Sequence, residues 1–274
     1  MIAEWSKTPR QPLRINDAAL EYACFGPSPD AAPTIVLLHE GLGCAALWRD
    51  LPERLSAATG FGVLAYSRAG YGRSSTITRP RPLDYQTREA MDVVGPVLDA
   101  VGVQRAVLMG HSDGATMAAI YAGSVSDMRV RALILMAPHF FMEAKGLDAI
   151  RAGKAQYEQG DLNIKMAKYH DDPDAAFYGW HDAWVDPGNA DWNVADCIDH
   201  LRIPVFAIQG RDDAYGTLDQ ISEIEERIYS PVETLILDDC GHSPHLEKPD
   251  ETLQGISAFC ATLARIENAQ VDIA

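Results

Sequence analysis

Short apolar runs of strand character recur along most of this chain, and segments with apolar residues at helical spacing lie between them. The strand-like runs are 20–25, 34–39, 63–66, 106–109, 132–137, 205–209 and 234–237. Several are apolar at nearly every position, the pattern of strands covered on both faces. The helical segments are 45–59, 83–101, 115–124, 218–229 and 251–266. Alternation at this pitch restricts the chain to an α/β architecture with a mostly parallel sheet flanked by helices. Pro52 and Gly95-Pro96 are expected to kink or shorten two of the helices.

One stretch breaks the rhythm. From 140 to 203 no strand-like run appears and helical spacing dominates. That predicts a core formed by 1–139 and 204–274, with 140–203 inserted between two strands as a helical cap, the natural place for a lid. The length of 274 residues suits one domain carrying such an insertion. The insertion is rich in aromatics. Most are expected to pack it onto the core, while Phe140, Trp180 and Trp184 are candidates to line an apolar substrate pocket.

Composition removes whole classes of function. The net charge of −16 repels phosphate backbones and anionic membranes, so neither nucleic acid nor membrane is an expected partner. No apolar run approaches the roughly 18 residues that span a bilayer. The first residues begin no apolar stretch, so no signal peptide is expected. Five scattered cysteines without a CxxC pair suit reduced thiols and a cytoplasmic location rather than disulfides or zinc. His39-Glu40 does not complete an H-E-x-x-H site, because position 43 is Gly43. No cofactor or metal is implied, and the expected partner is a small-molecule substrate. His139, His170, His181 and His200 show no ligand spacing and read as structural or surface residues.

Gly110-His111-Ser112-Asp113-Gly114 matches G-x-S-x-G between a predicted strand and a predicted helix, the context that motif requires. The tight turn would leave the Ser112 hydroxyl exposed at a helix N-terminus. A serine hydroxyl is a poor nucleophile at neutral pH and needs a base, which in turn needs an orienting acid. Gly241-His242 follows the last strand-like run, which makes His242 the candidate base and His245 the decoy. The acid should end the preceding strand, where Asp212 and Asp213 compete. The backbone N–H of Asp113, directly after the nucleophile, is one expected oxyanion donor. The second is expected from the loop His39-Glu40-Gly41-Leu42-Gly43, with Gly41 as candidate and Leu42 as fallback.

These features together resemble an α/β-hydrolase of the lid-bearing, single-domain type, over roughly residues 12 to 268. The resemblance rests on the 39–43 loop, the segment from Ser67 to Ser74, the elbow, and Gly241-His242 followed by Glu247-Lys248-Pro249. It implies an eight-stranded, mostly parallel sheet. It also selects Asp213, three residues after Gly210, as the acid. The segment from Arg68 to Ser74 is expected to brace the sheet top near the oxyanion loop, with Arg68 buried and paired. Two residues depart from the family pattern. Glu40 stands where glycine is usual, and is a candidate hydrogen-bond acceptor behind the site or a substrate contact. Ser67 replaces a frequent aspartate. Serine at position 112 excludes relatives that need an aspartate nucleophile, among them epoxide hydrolases. The expected function is an esterase-like serine hydrolase acting on a small or medium apolar or aryl ester. Carbon–carbon bond hydrolysis, thioester or amide cleavage, and non-catalytic ligand binding with an idle triad are the alternatives.

Overall fold

The computed structural model describes residues 2–268. Two three-residue strands come first, β1 (Leu13–Ile15) and β2 (Ala18–Leu20), paired antiparallel with each other. β3 (Tyr22–Phe25) follows after a single residue, so the run 20–25 is not one strand. Glu21 divides it. Its N–H bonds Ser74 Oγ, its carbonyl accepts from the Ser67 N–H, and its carboxylate accepts from Ser67 Oγ and the Arg73 N–H.

Beyond β3 the chain alternates as its pattern predicts. β4 (Thr34–Leu38), α1 (Leu51–Thr59) and β5 (Gly62–Tyr66) are followed by α2 (Tyr85–Glu89) and α3 (Gly95–Val101). Then come β6 (Ala106–His111), α4 (Asp113–Ser124) and β7 (Val130–Met136). The stretch before the next strand carries α5 (Ala144–Glu158), α6 (Leu162–Met166) and α7 (Pro173–Val185). β8 (Val205–Gly210), α8 (Asp219–Arg227), β9 (Val232–Leu237), α9 (Pro244–Glu247) and α10 (Pro249–Asn268) complete it.

The sheet order is β3-β5-β4-β6-β7-β8-β9, and only the β3–β5 pair is antiparallel. Among the described residues the sheet therefore has seven strands, not the eight the resemblance implied, because β1 and β2 form a separate hairpin held off at Glu21. Every residue of β4, β5, β6 and β8 is buried, as strands covered on both faces must be. α2, α3 and α4 contribute to the core on one face, while α1 and α10 contribute to that on the other. Fully burying a large aliphatic side chain of these cores is worth about 1.5–3 kcal/mol.

Proline acts at both expected places. Pro52 occupies the first turn of α1, where its missing N–H costs nothing, so the helix starts there rather than kinks. Pro96 cannot donate to the carbonyl of Asp92. A π-helical segment, Ala90–Val94, joins α2 to α3 at this point, and Asn16 Nδ2 donates to the freed Asp92 carbonyl at 3.1 Å. With six strands parallel, the loops after β4, β6, β7, β8 and β9 gather at one edge of the sheet, where ligands of open α/β sheets bind.

Candidate active site

β6 ends at His111 and α4 begins at Asp113, which leaves Ser112 alone in the turn with φ +54° and ψ −120°. A non-glycine residue held there costs about 1–3 kcal/mol and must be held by its surroundings. The Ser112 N–H donates to the Met136 carbonyl at 2.9 Å, and its carbonyl accepts from Ala115 and Thr116 at 2.9 and 3.1 Å. The flanking glycines are required by close approach. A Cβ on Gly110 would lie 2.2 Å from the Gly114 carbonyl oxygen, and one on Gly114 would lie 2.0 Å from that of Leu38.

His242 lies in the loop after β9. Its Nδ1 is 2.7 Å from Asp213 Oδ2. Asp213 is fully buried, and both oxygens are used. Oδ2 also accepts from Gln209 Nε2 at 2.9 Å, and Oδ1 accepts from the Tyr215 and Gly216 N–H groups at 2.7 and 3.4 Å. Burial by itself would raise the Asp213 carboxyl, but the His242 imidazole and the Tyr215 N–H outweigh it and hold it down at about 2. Asp212, the competitor in sequence, is exposed, and its N–H bonds the Cys240 carbonyl. The structure thus joins His242 to Asp213 and leaves Asp212 outside.

The His242 loop is clamped on both sides. Glu247 accepts from the Gly241 N–H at 2.7 Å and the Ser243 N–H at 2.9 Å. From beneath, His111 Nε2 donates to the His242 carbonyl at 2.7 Å. His245 packs its ring against Trp48 and His111, and burial lowers its imidazole to about 3. Its ring is structural.

The Asp113 N–H, in the first position of α4, has no partner within the helix. Its carboxylate turns away, 1% exposed, and accepts from the Tyr85 hydroxyl. Gly41 and Leu42 lie on the loop after β4 and border the same cavity as Ser112. Arg68 fixes that loop from behind. It is fully buried, and its guanidinium donates to the His39 and Glu40 carbonyls. Its partners are therefore backbone oxygens of the loop rather than a carboxylate.

A cavity of about 230 Å³ joins these groups. Ser112, Asp113, His242, Gly41 and Leu42 border it on the sheet side, Trp180 and Trp184 on the helical side, and Glu40 between. Phe140 does not border it. That ring is fully buried in the sheet core, while the backbone bonds Gln220 Oε1 and the Val194 N–H. Phe141, one residue on, faces the cavity instead. His139, which reads from the sequence as a structural or surface residue, is a cavity residue. It borders the cavity with its ring 5.7 Å from that of His242, and burial together with His242 lowers it to about 3, so it stays neutral. Its signal was its position: Ala137-Pro138-His139 directly follows an apolar strand, at the same sheet edge as the other site loops. His170 and His181 are buried, and His200 is exposed.

Among the described residues, no group of three or more His, Cys, Asp or Glu side chains could hold a metal ion. No helix among them is long and apolar enough to cross a membrane. All five cysteines are free thiols.

A profile of the alpha/beta hydrolase family matches residues 35–254. The chain is 24% identical over 216 residues to a bifunctional esterase/perhydrolase of Acinetobacter calcoaceticus, covering 68% of this chain and 76% of that protein. It is 37% identical over 111 residues to epoxide hydrolase B of Mycobacterium tuberculosis, covering 40% of this chain but only 30% of that protein. Among solved structures it is similar to a thermophilic esterase from Thermogutta terrifontis, with TM-score 0.72, 16% identity, and 92% and 97% of the two chains covered. It is also similar to the esterase RhEst1 from a Rhodococcus species, with TM-score 0.69, 20% identity, and 93% and 98% covered.

Proposed function

The chain belongs to the alpha/beta hydrolase family, and on that premise we propose that it is a serine hydrolase cleaving an ester of a small or medium acyl or aryl group. The observation that carries the reading is the 2.7 Å His242–Asp213 contact beside a cavity bordered by the strained Ser112. That relatives include esterases and epoxide hydrolases supports a hydrolase. Epoxide opening by a carboxylate nucleophile lacks its residue here. The elbow carries serine, and the adjacent Asp113 carboxylate is buried against Tyr85.

In this mechanism Ser112 Oγ bonds to the ester carbonyl carbon while His242 Nε2 takes its proton. Asp213 holds the imidazole through Nδ1 and stabilises the imidazolium. The N–H groups of Asp113 and Gly41, with Leu42 adjacent, receive the oxyanion. The carbon–oxygen bond to the leaving alcohol breaks as His242 returns the proton to it. Water, deprotonated by the same imidazole, then attacks the acyl-enzyme and releases the acid and free Ser112. Ser112 and His242 border one cavity without a side-chain hydrogen bond between them, a contact that often tightens only when substrate is bound. Residues 140–203 serve as a cap that shields the acyl group, and the enzyme works in the cytoplasm.

Intact mass after fluorophosphonate treatment tests the proposal. One adduct on the wild type and none on Ser112→Ala is the expected result. An unlabelled wild type, or an adduct that survives the substitution, overturns it.

A further inference from the structure

Glu40 is a charged cavity group that the proposed mechanism leaves without a task. It borders the cavity beside the oxyanion loop, with 28% of its side chain exposed. Its carboxylate folds back over Gly43, where a Cβ would lie 2.3 Å from Oε2. Its nearest cationic or imidazole partner is His111 Nδ1, at 3.6 Å, too far for a good hydrogen bond. Burial alone would raise this carboxyl, but His111 and His39 overcome that and keep it below the ordinary carboxylate range. Of the two other acidic residues of the lining, Asp113 turns its carboxylate to the Tyr85 hydroxyl, and Glu143 is occupied by the Thr217 N–H and hydroxyl and by Gln220 Nε2.

Among the described residues the lining contains no lysine or arginine. The nearby cations are committed elsewhere. Arg68 lies behind the oxyanion loop on the His39 and Glu40 carbonyls, and the Lys145 ammonium donates to the Asp213 carbonyl. His139 is neutral. Most of the remaining wall is apolar, with Leu42, Met142, Leu147, Ile150, Trp180 and Trp184, and its uncharged polar residues are Tyr215 and Ser243.

From this arrangement, and resting on the hydrolase reading, we infer that the cavity accepts acyl groups without negative charge and that Glu40 is the residue enforcing the choice. A substrate carboxylate or phosphate here would lose its hydration without gaining a cation. It would also face the Glu40 carboxylate across a low-dielectric space, where like charges repel strongly. An uncharged aliphatic or aryl chain meets neither cost. The same wall lies beside the oxyanion donors, so a second substrate charge would add to the one that develops during acyl transfer.

Methyl hexanoate and monomethyl adipate test the inference, because they differ only in a terminal methyl against a carboxylate. The wild type is expected to favour the hexanoate by about 100-fold in kcat/KM, a like-charge cost of ordinary size. Glu40→Gln should shrink the gap to about 10-fold or less, mainly by raising the adipate value. Comparable rates on the two esters in the wild type, or a gap that Glu40→Gln leaves unchanged, would overturn it. A binding arm separates this from failure of the chemistry. Ser112→Ala is titrated with hexanamide and with adipamic acid, followed by tryptophan fluorescence, since Trp180 and Trp184 border the cavity. Saturation by hexanamide alone supports the selection whether or not either ester turns over. Equal binding, or binding of neither, sinks it, while fluorophosphonate labelling reports separately on the nucleophile.

Discussion

The two sides of the cavity are built by different physics. On the sheet side, position is set by backbone contacts: the glycine approaches at the elbow, the Glu247 clamp on the His242 loop, and the N–H groups that fix Asp213. On the helical side, α5 and α7 are held by rings, with Tyr157 stacked on Phe177 at 4.0 Å and Trp184 edge-on to Trp192 at 5.0 Å. Backbone contacts define atoms to a fraction of an ångström, whereas ring packing defines a volume. The sheet side is thus suited to placing reacting groups, and the helical side to sizing what enters.

That division can be broken by experiment. Ser112→Ala should lower ester kcat by about a million-fold, with the melting temperature nearly kept, since only the hydroxyl is lost. Asp213→Asn should cost about 10,000-fold in kcat by upsetting the imidazole tautomer and orientation. Retention of rate in either variant would mean that the sheet side does not carry the chemistry. Phe177→Ala, on the helical side, should cost about 3–5 kcal/mol in denaturant unfolding, from the lost ring and its cavity. Labelling of Ser112 by fluorophosphonate should persist in that variant, and its disappearance would show that the two sides are not separable. Gly114→Ala should destabilise by about 1–3 kcal/mol through overpacking against Leu38, and should slow labelling as well.

Acid should act mainly through the sheet side, by smaller steps. His139 and His245 are held neutral to about pH 3, against an ordinary value of 6.5. Below pH 6.5 the unfolded chain binds protons that the folded chain does not, so stability falls as pH drops toward 3. Each such histidine contributes a slope of up to about 1.4 kcal/mol per pH unit. Asp213, lowered from 3.8 to about 2, adds a loss only below about pH 4. Melting temperatures from pH 7 to 4 should decline, and His245→Phe should flatten the decline. An unchanged slope in that variant would exclude His245 as a source.

Much of the sheet side can be read directly from the chain, because close backbone approach demands glycine. Gly110 and Gly114 frame Ser112, and Gly241 precedes His242. The choice between Asp212 and Asp213 cannot be read this way. The residues are adjacent and chemically identical, and only the turn after β8 decides which one points inward. Phe140 and Phe141 pose the same difficulty, since a shift of one residue in irregular chain exchanges core for cavity. The eighth strand failed at Glu21, where local bonds to Ser67, Arg73 and Ser74 depend on a segment about 50 residues away. The place of His139 cannot be read from its neighbours, because it depends on where β7 ends. The helical side showed its helical character and its aromatic wealth, but not which rings would face inward.

His170 ties the two sides together. Its Nδ1 accepts from the Gly72 N–H at 2.9 Å, which leaves Nε2 to donate to the Leu42 carbonyl at 3.0 Å. The next residue, Asp171, donates its N–H to the Gly72 carbonyl at 3.0 Å and pairs with Arg73. The turn between α6 and α7 is thus fastened to the very loop that carries Gly41 and Leu42. The turn cannot lift at this corner without pulling on the loop of Gly41 and Leu42 or breaking the His170 bridge. In the proposed mechanism, a guest bulky enough to prop the turn open would strain the His170 bridge and, through it, the loop that offers Gly41 and Leu42 to the substrate carbonyl.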